Sequence, residues 1–102
     1  MNEMKHMFVR YCEASKAWND ATPEELKKVY ETIKRSAKDH GLELIFLGPA
    51  WGVIESPAWV FTSDKSIDNY YKWLMSTADL GLPQYFTASR TVTLTEAPFL
   101  MK

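Results

Sequence analysis

Two apolar stripes of identical spacing constrain this 102-residue chain more than any other feature. Leu26, Val29, Tyr30, Ile33 and Ala37 fall at i, i+3, i+4, i+7 and i+11, and Ile67, Tyr70, Tyr71, Leu74 and Ala78 repeat those offsets. A period of 3.6 residues gathers each set onto one side of a helix, so the chain must hold two helices that each need a surface to cover. The first is punctuated at both ends. Thr22 with Glu25 three residues on forms a capping box, Pro23 takes the first helical position, and Gly41 after His40 supplies a left-handed stop. The second begins among Ser63 to Ser66 and ends at Gly81, with Pro83 barring its continuation.

Segments of strand character stand before, between and after these helices. Lys5 to Cys12 is β-branched and aromatic, with Met7, Val9 and Tyr11 on one face and His6, Phe8, Arg10 and Cys12 on the other. Both sets hold apolar residues, so alternation assigns neither to the core. Glu13 to Ala21 reads as a polar loop. Leu42 to Leu47 is an apolar strand interrupted by Gly48-Pro49 and continued in extended form over Ala50 to Ile54. Proline donates nothing to a ladder, which places this strand at an edge or bulges it at Pro49. Glu55-Ser56-Pro57 turns the chain into a short strand, Ala58 to Thr62, and a threonine-rich strand runs from Tyr85 to Glu96. The order is β-α-β-β-α-β. Right-handed crossovers put both helices on one face of an antiparallel four-stranded sheet of order 4-1-3-2, an α+β ferredoxin-like plait filling residues 1–102 as a single domain.

Charge and composition then exclude whole classes of function. Twelve basic against thirteen acidic side chains leave a net charge of −1, without the basic excess of a nucleic-acid or anionic-membrane binder. Met1 to Arg10 lacks the apolar core of a signal peptide, and the longest apolar stretch, Leu44 to Ile54, is too short to span a bilayer. One cysteine, Cys12, forms no intramolecular disulfide and suits a reducing cytoplasm. Two histidines and that cysteine, widely spaced, make no metal-ligand pattern, and the scattered glycines make no phosphate-binding loop. The expectation is a protein with no cofactor, no metal, no nucleic acid and no membrane.

Helices on one face leave the other face of the sheet open. Ala58, Val60 and Thr62 suit close packing under helices, which sends Trp59 and Phe61 to the open side, joined by Tyr11 or Phe8, Trp51, and Tyr85 or Phe86. So much apolar surface on a monomer calls for a cover, and a second copy of the chain, sheet against sheet, is the economical one. Here the residues reach a resemblance. The element order with Met7-Phe8-Val9-Arg10 in the first strand resembles the dimeric α+β barrel superfamily of muconolactone isomerases and antibiotic-biosynthesis monooxygenases. Gly48 to Trp51, Ser56 to Asp64 and Tyr71 to Trp73 are similar to an uncharacterised small-domain branch of it. The resemblance implies a homodimer whose sheets enclose a cavity, which in enzymatic members is the active site.

Several residues are candidates for such a site, each with a plainer reading. Arg10 would hold an anionic oxygen and His6 would act as acid or base, or Arg10 pairs with a carboxylate and His6 frays near the terminus. Glu55, near Trp51 and Trp59 in sequence, would be a general base of raised pKa, or an exposed turn residue. Trp51, Trp59, Arg90 and Tyr11 would bind ligand; the tryptophans otherwise belong to core or interface, and Arg90 to a solvated edge. Cys12 reads as a small buried thiol. Tyr70 and Tyr71 belong to the core stripe, and Trp73 falls off it as a partner contact. The reading is a cytoplasmic homodimer that binds a small aromatic or anionic molecule in a barrel cavity, extending to cofactor-free oxygenase or isomerase chemistry. The alternative is a non-catalytic ligand-sensing or structural assembly module.

Overall fold

The structure, a computed structural model, describes residues 5–53, 55–97 and 100. Ile54 at the end of the expected extension, and Pro98, Phe99 and Met101 of the apolar tail, lie outside the described residues. Four strands, β1 (His6–Ala14), β2 (Glu43–Gly48), β3 (Ala58–Ser63) and β4 (Phe86–Thr95), form one sheet of order β2-β3-β1-β4, antiparallel throughout. This is the expected order, with β2 at an edge. Helices α1 (Lys16–Asp20), α2 (Pro23–Asp39) and α3 (Ile67–Ser76) complete the described framework, followed by two short 3-10 turns over Thr77–Leu80 and Leu82–Tyr85. Among the described residues no helix is long and apolar enough to cross a membrane.

The ends of α2 follow the sequence signals. Glu25 N–H donates to Thr22 Oγ1 at 3.2 Å, and Pro23 opens the first turn. At the other end Gly41 N–H donates to Lys38 O and Leu42 N–H to Ala37 O, the pairing that a left-handed residue at φ 76° makes possible. The chain leaves this turn with Leu42 buried, and a Cβ at Gly41 would come within 3.1 Å of Asn69 and Lys65.

Several expectations are corrected. The loop Glu13 to Ala21 holds α1, whose N-cap Ser15 accepts from Trp18 N–H; five residues are too few to show a stripe. The ladder irregularity in β2 lies between Leu44 and Phe46 rather than at Pro49, where the strand has already ended. Residues 51–53 form a bend, with Gly52 at φ 89°, instead of continuing the strand. The second helix stops at Ser76, and Gly81 at φ 72° separates the two 3-10 turns.

The largest correction is one of parity. Register pairs Phe8 with Phe61 and Arg10 with Trp59, so these share a face, and Trp59, Phe61 and Phe8 are all buried under the helices. Trp59 and Phe61 therefore fill the layer between sheet and helices, and Ala58, Val60 and Thr62 lie on the open side. The gap above a sheet is about 10 Å and must be filled at solid density, which large aromatics do better than alanine or valine. Phe8 stacks on Tyr70 with ring centroids 4.3 Å apart, and Phe61 meets Trp73 at 4.7 Å. Trp73 accordingly belongs to the core, whereas Tyr71 is about half exposed. The working stripe of α3 is Tyr70, Trp73 and Leu74, carried on by Thr77.

Candidate functional site

Parity divides the candidate residues between two faces. Arg10, Trp59 and His6 lie on the helix side. Tyr11 and Arg90 pair in register on the open side, where Glu55 reaches them from the loop before β3. Trp51 is 89% exposed and touches neither group of candidates.

The helix side holds a cavity of about 210 Å³ between β1, β3, β4 and the segments that follow α3. Arg10, Cys12, Trp59, Thr77, Phe86 and Ser89 line it, with Ile33 and Leu82 adding apolar wall. Arg10 is half-buried, its guanidinium carbon 5.8 Å from the Trp73 ring centroid. Among the described residues Arg10 forms no ion pair, and the lining contains no carboxylate. The contrast between two buried indoles is sharper. Trp73 Nε1 donates to Ser36 Oγ at 2.9 Å. Trp59 Nε1 is the single buried side-chain polar atom, among the described residues, with no acceptor. A buried donor left without a partner costs about 1–3 kcal/mol.

Two groups buried between sheet and helices, Cys12 in the lining and Tyr70 outside it, hold their protons at neutral pH. Burial pushes the Cys12 thiol above its ordinary value, and the Arg10 charge and hydrogen bond only partly oppose it. Burial likewise raises the Tyr70 phenol against its 2.5 Å hydrogen bond with Thr91 Oγ1. Cys12 is thus a buried thiol rather than a nucleophile.

His6 sits far from this cavity. It lies four residues along β1 from Arg10, about 13 Å at strand rise, and its Nδ1 meets Thr95 Oγ1 at 3.0 Å.

The open face carries a closed electrostatic group. Arg90 Nε contacts Glu55 Oε1 at 2.8 Å, and the Arg90 guanidinium carbon stands 5.2 Å from the Tyr11 ring centroid. Glu55's own backbone N–H, with Arg90 beside it, holds the carboxyl below the usual glutamate range despite some opposing desolvation. That direction overturns the expectation of a raised-pKa general base. Trp59, the aromatic invoked to raise it, is on the other side of the sheet.

Two open depressions complete the surface. A groove of about 610 Å³ runs past exposed Lys34, Lys38 and Asp64, whose charges water already solvates. A cleft of about 440 Å³ is walled by Ala14, Trp18, Leu47, Pro49 and Pro57. The helix-side cavity differs from both in presenting a half-buried cation with no carboxylate in its lining.

Sequence reasoning reached Arg10 and Trp59 but missed Thr77, Phe86 and Ser89. Thr77 was legible in principle, since Tyr70, Trp73, Leu74 and Thr77 also run at helical spacing. Phe86 comes to the cavity past the register shift between Glu13 and Ala14, which no local pattern shows, whereas Ser89 sits opposite Cys12 in the regular ladder.

No protein-family model matches the chain, and no curated protein does. Solved structures do. One is a dimeric ferredoxin-like protein of unknown function from Thermobifida fusca, 14% identical, with TM-score 0.59 over 91% of this chain and 92% of that one. A dimeric protein of unknown function and ferredoxin-like fold from Bacteroides fragilis is also 14% identical, with TM-score 0.52 over 90% and 96%. A protein of unknown function from Rhodopseudomonas palustris aligns at 10% identity and TM-score 0.56 over 93% and 84%. The element order, the sheet order and these likenesses agree: the chain has the ferredoxin-like fold.

Proposed function

We propose that this protein binds a small, ring-sized anion in the helix-side cavity, as one subunit of a homodimer joined through the open face of its sheet. The observation that carries the binding is a half-buried arginine with no carboxylate beside it, in a lining otherwise made of aromatic, aliphatic, hydroxyl and thiol side chains. A carboxylate would pair with the Arg10 guanidinium, and charge-assisted hydrogen bonds are the strong ones. Size points the same way. A cavity of about 150 Å³ accommodates benzene, so about 210 Å³ fits a one-ring carboxylate.

The lining favours binding over turnover. It offers a cation, hydroxyls and a protonated thiol, but no carboxylate or histidine to serve as a base at neutral pH. Isomerase or cofactor-free oxygenase chemistry there would use Arg10 to hold a developing oxyanion and would need its base from the substrate. The non-catalytic ligand-sensing reading is therefore the stronger of the two. A buried, unpaired thiol suits work in a reducing cytoplasm.

The homodimer rests on the face that no helix covers. Phe46, Val92 and Leu94 are 68%, 41% and 53% exposed there, and two of the similar structures are described as dimeric. The face suits a two-fold interface, in which the same patch serves both subunits. The Arg90–Glu55 pair can be covered without leaving an uncompensated charge.

Calorimetric titration with benzoate, beside neutral benzamide as control, tests the binding. Wild type should bind benzoate and discriminate against benzamide, and Arg10→Met should lose roughly 1.5–3 kcal/mol of affinity, about tenfold or more, while remaining folded. Unchanged affinity in Arg10→Met, or equal binding of benzamide, refutes it.

A further inference from the structure

The two edges of the sheet are built differently. β2, six residues long, is broken in register between Leu44 and Phe46 and stops at Gly48, before Pro49, features that discourage another strand from adding. β4 runs for ten residues with no proline and one charged side chain, Arg90, and among the described residues it pairs only with β1. Its outer row of backbone N–H and C=O groups is open to a further strand. An apolar flank borders that edge. α3 is tied on one side to α2 and its C-cap, where Asn69 Nδ2 donates to His40 O and Trp73 Nε1 to Ser36 Oγ, while Tyr70 reaches Thr91 of β4. Ile67 and Tyr71, one turn apart, lie on the side of the helix opposite Asn69 and are 37% and 47% exposed. The helix-side cavity opens at the same edge. Exposed Pro83, Thr87 and Ser89 belong to its lining, and Arg10 lies one strand in, opposite Thr91.

We infer that the anion taken by this cavity is the C-terminal carboxylate of an extended peptide, which adds to β4 as a fifth, antiparallel strand and turns its last residue inward to Arg10. The inference rests on the anion-binding reading above and names the class of ligand. Strand direction decides the polarity. Antiparallel to β4, a peptide runs from Thr95 toward Thr87, so its C-terminus arrives where the cavity opens. Main-chain hydrogen bonds to a strand edge supply affinity, alternate side chains supply selectivity, and a site for the terminal carboxylate fixes the register. Side chains on the helix side of the added strand would meet Ile67 and Tyr71, which favours apolar residues at alternate positions. The last side chain enters a volume of about 210 Å³, matched to a single ring such as that of phenylalanine. A free small acid answers Arg10 and leaves the edge open; the peptide engages both.

Calorimetric titration compares three ligands. One is an acetylated hexapeptide of alternating threonine and valine that ends in phenylalanine with a free carboxylate. The second is its C-terminal amide, and the third is acetylphenylalanine, which has the acid and the ring but no strand. The free-acid hexapeptide should bind about tenfold or more tighter than either, and Arg10→Met should abolish the preference for acid over amide. Two further hexapeptides carry N-methyl groups on alternate residues, one in each phase. The phase whose N–H groups face β4 should lose the gain over acetylphenylalanine, and the other should keep it. The peptide comparisons use the wild-type chain, so they decide the question even if Arg10→Met fails to fold. A hexapeptide that binds no tighter than acetylphenylalanine, or a gain that survives methylation in both phases, overturns the inference; benzoate binding then leaves the anion reading standing. Equal affinity of acid and amide overturns it as well, and if benzoate also fails to bind, the anion reading falls with it.

Discussion

Replacing each of the two buried tryptophans by phenylalanine isolates the unpaired indole. Trp59 and Trp73 are 1% and 2% exposed, so Trp→Phe deletes the same atoms from equally buried places. The transfer and cavity contributions then cancel to first order, leaving the N–H. Trp73→Phe removes the bond to Ser36 Oγ, a net loss of about 0.5–1.5 kcal/mol; Trp59→Phe removes a donor with no acceptor and recovers about 1–3 kcal/mol. Phenylalanine at 73 keeps a ring beside Arg10, so that contact changes little. The two variants should differ by about 1.5–4.5 kcal/mol, with Trp73→Phe the less stable. For a domain of this size the gap appears as a separation in Tm on the order of 10–25 °C. Urea unfolding at one fixed protein concentration, followed by circular dichroism, reads it directly. If Trp59→Phe is as destabilised as Trp73→Phe, the Trp59 N–H has an acceptor after all, and the reasoning from an unpaired indole fails.

Two further outcomes test the open face. Because the Glu55 carboxyl is held below its ordinary value when folded, its contribution is present above the unfolded pKa and is lost as pH falls through the folded one. Urea midpoints of wild type and Glu55→Gln should therefore differ near neutral pH and converge below about pH 4, with the difference shrinking in high salt; a constant offset would contradict the Arg90 pairing. Leu94→Asp, at a side chain the folded subunit leaves about half exposed, should shift the light-scattering mass from twice 11.8 kDa toward 11.8 kDa with the circular dichroism spectrum unchanged. An unchanged mass removes this face from the interface.

Helices and topology were legible because their signals are local and redundant. Thr22, Pro23, Glu25 and Gly41 each mark α2 independently of its stripe, and two such helices among four strands leave few arrangements of the sheet. The side of each strand was not legible, because alternation has two phases and β3 is apolar in both. Ala58, Val60 and Thr62 read as a core face if tight packing is assumed; Trp59 and Phe61 read as one if filling a wide layer is. The structure shows the second, and with it Trp73 moves from partner contact to core. On α3, Tyr70 and Leu74 are common to the expected stripe and the observed one, and a rotation of the helix exchanges Tyr71 for Trp73.

That phase decides the candidate site. Arg10 and Arg90 were both candidates, and they lie on opposite faces with opposite electrostatics. On the open face, Glu55 and the Tyr11 ring surround Arg90, so its charge is answered within the described chain. Solvent-exposed pairs of this kind are worth little to stability, and a neutralised arginine attracts an anion weakly. Under the helices, Arg10 has a ring and a neutral thiol beside it but no described carboxylate, in surroundings where an unanswered charge is costly. A fold that neutralises the arginine in contact with water and leaves unpaired the one it covers holds an unfavourable arrangement that a bound anion would relieve. The N–H of Trp59, which pairs with Arg10 across the ladder, is buried without an acceptor and out of contact with the cavity space, so its cost falls on stability. On the proposed reading the anion answers Arg10, which makes Arg10 the site residue and Arg90 part of the scaffold.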